Sequence, residues 1–136
     1  MKILAERIIE VLKADTTLVS LLGSSDNIFI ASAPVRKNKY VLVSTEAGDD
    51  LNNIPADEGV IRVVVVVSRK VENAHSVCID IMDRVDGLIN KKENTLSNTD
   101  WTVLHIIRED SSGLNMDNET GEYWYSNSYR YIITND

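Results

Sequence analysis

The chain has 136 residues, 14 of them Lys or Arg and 21 Asp or Glu, which gives a formal net charge of −7 at pH 7 with His neutral. A chain of this length encloses one core, burying roughly 70% of its unfolded surface, so a single domain over residues 1–136 is expected. At 43% hydrophobic and 26% charged it is too apolar for intrinsic disorder, and its acidic balance argues against coating nucleic acid or an anionic membrane, which takes clustered Lys and Arg.

Leu4, Ile8, Val11 and Leu12 recur at helical spacing, with Glu6, Arg7, Glu10 and Lys13 largely opposite. That spacing predicts an amphipathic helix over residues 2–14. Asp15 is placed to cap a second, shorter helical piece carrying Leu18, Leu21 and Leu22, and Gly23 supplies its left-handed stop. After the polar turn Ser24-Ser25-Asp26-Asn27, a short strand is expected at Ile28-Phe29-Ile30, ended by Ala33-Pro34. A stronger one follows at Tyr40-Val41-Leu42-Val43-Ser44-Thr45, where β-branched and aromatic residues dominate. Arg36-Lys37-Asn38-Lys39 makes a basic connection between the two. The segment from Ala47 to Asp57 has no periodicity, is rich in Gly, Asp, Asn and Pro, and reads as a long exposed loop; loops of that length are usually functional or become ordered on a partner.

Val60 to Ser68 is the strongest strand signal. Alternation puts Val60, Val64 and Val66 on one face and Ile61, Val63, Val65 and Val67 on the other, so both faces are apolar and want cover. Ala74, Val77, Cys78, Ile81, Val85 and Leu88 then form one stripe of a helix over residues 73–90, with Asp80 and Arg84 spaced for an i,i+4 pair on its solvent side. A polar connection from Lys91 to Asp100 leads to a strand at Trp101–Arg108, a second aperiodic loop from Asp110 to Gly121, and a last strand from Glu122 to Thr134. In that last strand Tyr123, Tyr125, Tyr129, Tyr131 and Ile133 share one face and Trp124, Ser126, Ser128, Arg130 and Ile132 the other. The order α-β-β-β-α-β-β predicts an α+β fold, a mainly antiparallel sheet with helices packed on one face.

Chemistry-bearing patterns are sparse. Cys78 is the single cysteine, so no internal disulfide is possible, and its place in the apolar helix stripe reads as core. His75, Cys78 and His105 are the nitrogen and sulfur ligand candidates, without a CxxC or HxxxH pattern to join them. No nucleophile elbow and no Gly-rich phosphate loop is present. Asp49-Asp50 and Asp110 could serve as paired carboxylates or hold Mg²⁺, but acidic residues in Gly/Asn-rich segments read more simply as solvated turn formers. No catalytic, cofactor-binding or metal-ligating residue is therefore assigned, and an enzyme is not expected. The opening Met1-Lys2-Ile3-Leu4-Ala5-Glu6-Arg7 becomes charged before a secretory apolar region develops, and no apolar run approaches the ~20 residues of a membrane span. Synthesis in the cytoplasm is expected. With two helices able to cover one face of a sheet, the second apolar face of Val60–Val67 calls for self-association, since each buried Val is worth ~1.5–3 kcal/mol.

The succession of features resembles the tail terminator (tail completion) proteins of long-tailed phages and prophages. Leu18-Val19-Ser20-Leu21-Leu22-Gly23 is similar to the end of that family's first helical unit. Tyr40-Val41-Leu42-Val43 is similar to its second strand, although Lys39 stands where many relatives carry proline. Arg62 to Arg69 is similar to its central strand, running into the helix of Ala74, Ile81, Val85 and Leu88, and Tyr129-Arg130-Tyr131 closes the pattern. The resemblance implies a virion structural protein that caps the head-proximal end of the tail tube as a hexameric ring, stops tube growth and presents a surface to the neck. It implies no cofactor; its implied partners are further copies, the tube protein and a neck protein, with DNA passing through the ring. The ring contacts expected on that basis are Arg62, Val64 and Val66 with Tyr125, Tyr129 and Tyr131. The expected tube or neck contacts are Asp49, Asp50, Leu51, Ile54, Leu114 and Met116, because apolar residues in polar loops are candidate anchors. A different neck or head-completion connector, or a small ligand-binding or metal-dependent domain, are the alternatives.

Overall fold

The computed structural model describes residues 2–31, 33, 37–51 and 56–135. Helices α1 (Lys2–Ala14) and α2 (Thr16–Leu22) open the chain, and a capping residue sets the break between them. The Asp15 backbone is extended, and its carboxylate accepts a hydrogen bond from the Leu18 N–H at 2.9 Å. Gly23, at φ 87°, ends α2 and donates its N–H to the Val19 carbonyl at 2.8 Å, a left-handed stop that glycine adopts without a Cβ clash. A single 3-10 turn, Ser25–Asn27, leads into the sheet.

The sheet contains β1 (Ile28–Ile30), β2 (Lys39–Leu51), β3 (Ala56–Ser68), β4 (Trp101–Met116) and β5 (Glu122–Asn135), in the order β1-β2-β3-β5-β4. Helix α3 (Ala74–Ile89) and the one-turn α4 (Glu93–Leu96) join β3 to β4. All neighbours are antiparallel except β1, which runs parallel to β2. The helices cover one face. Leu4, Ile8 and Leu12 of α1, Leu18 and Leu22 of α2, and Cys78, Ile81, Val85 and Ile89 of α3 form one buried cluster with Val41, Val43, Ile61, Val63, Val65, Val67, Val103, Ile106 and Ile133 of the sheet. The fold is α+β, in the element order anticipated from the periodicities. Arg84 of α3 does not take up the anticipated i,i+4 pairing with Asp80. It reaches the cap of α2 and holds both Asp15 carboxylate oxygens, at 2.8 and 2.6 Å, a two-pronged geometry that a same-helix neighbour cannot present as well.

Both segments expected to be loops are largely strand. β2 runs to Leu51 and β3 starts at Ala56, with Asp49 opposite Glu58 and Asp50 opposite Asp57. β4 runs to Met116, with Leu114 opposite Tyr125 and Met116 opposite Tyr123, so only residues 117–121 form the turn. Backbone ladders carry these extensions, and irregularities between Glu46 and Asp49, Arg108 and Asp110, and Ser111 and Leu114 break the alternation that would have announced them. Gly59 is constrained by packing. A Cβ there would lie 2.5 Å from the Tyr131 hydroxyl oxygen, because that ring folds across the strand.

The outer edge of β4 is closed from Trp101 to Arg108. The N–H groups of Trp101, Val103, Ile106 and Arg108 donate to Asn98 Oδ1 (3.0 Å), Ser97 Oγ (2.9 Å), Glu93 Oε1 (3.3 Å) and Asn90 Oδ1 (2.8 Å), all from the α3–β4 connection. Side chains thus occupy donors that a sheet edge would otherwise offer to another strand.

Candidate functional site: the open face of the sheet

The face turned away from the helices is built from the alternate residues of the same strands. Register aligns Leu42 with Val64, Val64 with Ser126, Val66 with Trp124, Arg62 with Ser128 and Val60 with Arg130. Two zones result. Towards the start of β2, Phe29, Tyr40, Val66 and Trp124 make an apolar area in which Phe29 and Tyr40 meet edge to face with centroids 6.4 Å apart. Towards the irregular half of β4 lies a concave depression of about 690 Å³ lined by Val60, Arg62, Asp110, Ser112, Trp124 and Ser126 among others.

The charges in this depression are unequally tied down. Arg130 bridges two strands, 2.7 Å from Glu58 Oε1 and 2.8 Å from Glu109 Oε1, and both carboxylates hold its guanidinium protonated. Arg62 is exposed and, among the described residues, donates to the neutral Ser126 hydroxyl, at 3.3 Å. Ser112 Oγ accepts from the Ser126 N–H at 2.9 Å, which fixes the irregular stretch of β4 across the sheet.

Of the residues expected at a ring contact, Arg62, Val64 and Val66 are on this open face; Val64 is half-buried and Val66 is 9% exposed. The tyrosines are on the other face, and this corrects the expectation that placed them together. Tyr129 and Tyr131 are 0% and 1% exposed within the protomer, and Tyr125 packs half-buried beside them. The Tyr129 hydroxyl donates to Asp86 Oδ1 of α3 at 2.7 Å and accepts from Asn127 Nδ2 at 3.2 Å, while Arg108 reaches Asp86 Oδ2 at 3.3 Å. Burial, more than any neighbour, pushes the Tyr129 phenol well above its ordinary value, so it stays a neutral hydrogen-bonding post between sheet and helix. Alternation separates the two faces of β5 correctly, but it does not say which one the helices cover. Trp124, on the open side, is the aromatic that the tyrosine stripe drew attention away from.

The expected tube or neck contacts are dispersed. Leu114 is half-buried against the core opposite Tyr125, and Met116 is 50% exposed at the end of β4. Asp49, Asp50 and Leu51 occupy register positions in the far half of β2, and Ile54 lies outside the described residues. The metal-ligand candidates do not converge. Cys78 is buried with its Sγ 3.9 Å from the Val65 carbonyl, and burial pushes its thiol up to about 12. His75 is exposed near Tyr123, and His105 is exposed opposite Ile132 on β5. Among the described residues no three His, Cys, Asp or Glu side chains are grouped to hold a metal ion, and no helix is long and apolar enough to cross a membrane.

No protein-family model matches the chain, and no curated protein matches it. Solved structures do. One is a chain from the virion of a native gene transfer agent particle, aligned over 97% of this chain and 94% of that one with a TM-score of 0.71 at 12% identity. At that identity the likeness is one of fold, and it extends over nearly the whole length of both chains.

Proposed function

We propose that the chain is a non-enzymatic structural protein of a virion and acts as a tail terminator: a hexameric ring that caps the head-proximal end of the tail tube, stops tube subunits from adding and offers the neck its landing surface. The observation that carries this reading is the end-to-end fold match to a chain of a gene transfer agent virion. The chain's helix-strand order also resembles the tail terminator family throughout. The open face supports the same reading, because the half-buried Val64 and Trp124 offer a second copy apolar area beside the exposed charge of Arg62. Ring contacts join unlike patches and must close on themselves. Asp49, Asp50, Leu51, Ile54, Leu114 and Met116 are the contacts proposed for tube or neck.

Light scattering on the purified chain, alone and with tail tubes, tests this. Six copies of a 15.2 kDa chain give a particle of about 91 kDa, and tubes assembled with the chain present are expected to stop at a limited length. Unrestricted tube growth at saturating chain overturns the terminator reading and favours a connector on the portal side.

A further inference from the structure

The sheet is electrically polar along its strands. At the end where β2 begins and β3 finishes, Lys37, Lys39, Arg69 and Lys70 gather, and Lys37 and Lys70 line a depression of about 250 Å³ with Asn38, Ser68, Thr120 and Glu122. A Cβ at Gly121 would lie 2.5 Å from Arg69 Cδ, so the Arg69 side chain packs over the same β4–β5 turn. Among the described residues none of these four cations is in an ion pair. At the opposite end, the β2–β3 hairpin carries Glu46, Asp49, Asp50, Asp57 and Glu58, and no Lys or Arg occurs from Tyr40 to Ile61. Its register sets Asp49 against Glu58 and Asp50 against Asp57, like charges directly across a ladder, an arrangement that destabilises a hairpin standing alone. Twelve residue steps of β2 separate the two ends, roughly 40 Å at the usual strand rise.

We propose that the basic corner of one copy receives the acidic β2–β3 hairpin of the next copy. The proposal rests on the ring reading and deepens it. Each copy carries both halves of the contact at opposite ends, so the contact joins unlike surfaces and hands on the same unfilled halves at every step, as a closed ring requires. The neighbour's cations offset the facing carboxylates of the hairpin, whose own two strands hold no Lys or Arg between Tyr40 and Ile61. A carboxylate in the corner itself, Glu122, favours a discrete protein segment over a continuous phosphate backbone.

Two charge-reversed chains test it, Lys37→Glu with Lys70→Glu and Asp49→Lys with Asp50→Lys, each followed by sedimentation velocity under the conditions in which the wild-type chain associates, alone or on tube ends. Each variant alone is expected to associate about tenfold or more weakly, since like charges now meet at every contact. An equimolar mixture is expected to regain the wild-type mass, because the two variants alternate with opposite charges at each junction, and the chain carrying all four changes is expected to associate by itself. Either variant associating like the wild type, or a mixture that stays dissociated while both variants keep the wild-type circular dichroism and melting point, overturns the proposal and leaves the ring reading standing. A wild-type chain that remains monomeric at all concentrations and on tube ends overturns both.

Discussion

Val65 and Val64 are consecutive residues of β3 with opposite surroundings. Val65 and its same-face neighbours Ile61, Val63 and Val67 have no exposure, because α3 lies over them, whereas Val64 is half-buried and Arg62 beside it is exposed. Sequence and strand geometry are the same for both, so the covering layer alone makes the difference. The helix-covered face supplies protomer stability. The open face adds less, through Tyr40 and Val66, and the apolar area still half-exposed there becomes worth its full transfer free energy only when another surface excludes water from it.

The sharpest way to break the contrast is at Tyr129. Replacing it with Ala removes the largest class of buried side chain and the hydroxyl that ties β5 to Asp86 of α3, and urea unfolding is expected to show a loss of ~3–5 kcal/mol. Gly59→Ala attacks the same face from the hairpin side. The new Cβ must displace the buried Tyr131 ring, an overpacking expected to cost ~1–3 kcal/mol in the same assay. Asp15→Ala loosens the covering layer where α2 begins, and loss of the cap is expected to cost about 1 kcal/mol. The pH dependence identifies the cause. The hydrogen-bonded Arg84 guanidinium holds the Asp15 carboxyl below its ordinary value, so its contribution is present above the unfolded value near 3.9 and fades as pH falls through the lower folded value. The variant is expected to show a flatter acid limb in its melting-point profile. The smallest effect on the protomer is expected for Val64→Ala, below ~1 kcal/mol, against about 2 kcal/mol for the matched Val65→Ala. Equal losses at the two positions would remove the distinction between the faces.

Much of the architecture is legible in the sequence, for identifiable reasons. The α3 stripe shows because six of its positions, among them Cys78, Ile81 and Val85, meet the same core, and Asp15 and Gly23 mark their helix ends by local chemistry that needs no tertiary context. The far halves of the hairpins are hidden because residues such as Asp110 and Ser112 are exposed and interrupted by irregular pairing, so no periodic apolar signal accompanies their backbone ladder. The misplaced tyrosines have a different origin. A tyrosine is compatible with wet and dry surroundings, and the partner that makes Tyr129 a core residue, Asp86, lies 43 positions away. The open face has the same difficulty in reverse, since Trp124 is marked as part of a surface only when its alignment with Val66 and the absence of a helix above it are known.

The closed edge of β4 bears on how copies of this chain behave when crowded. Four of its outward amides are engaged by Asn90, Glu93, Ser97 and Asn98, so a colliding chain finds no row of free donors along that stretch to zip onto. Sheet-to-sheet accretion of the kind that seeds fibres needs such a row. Along that stretch, encounters between crowded copies are decided by side chains and charge rather than by indiscriminate backbone annealing.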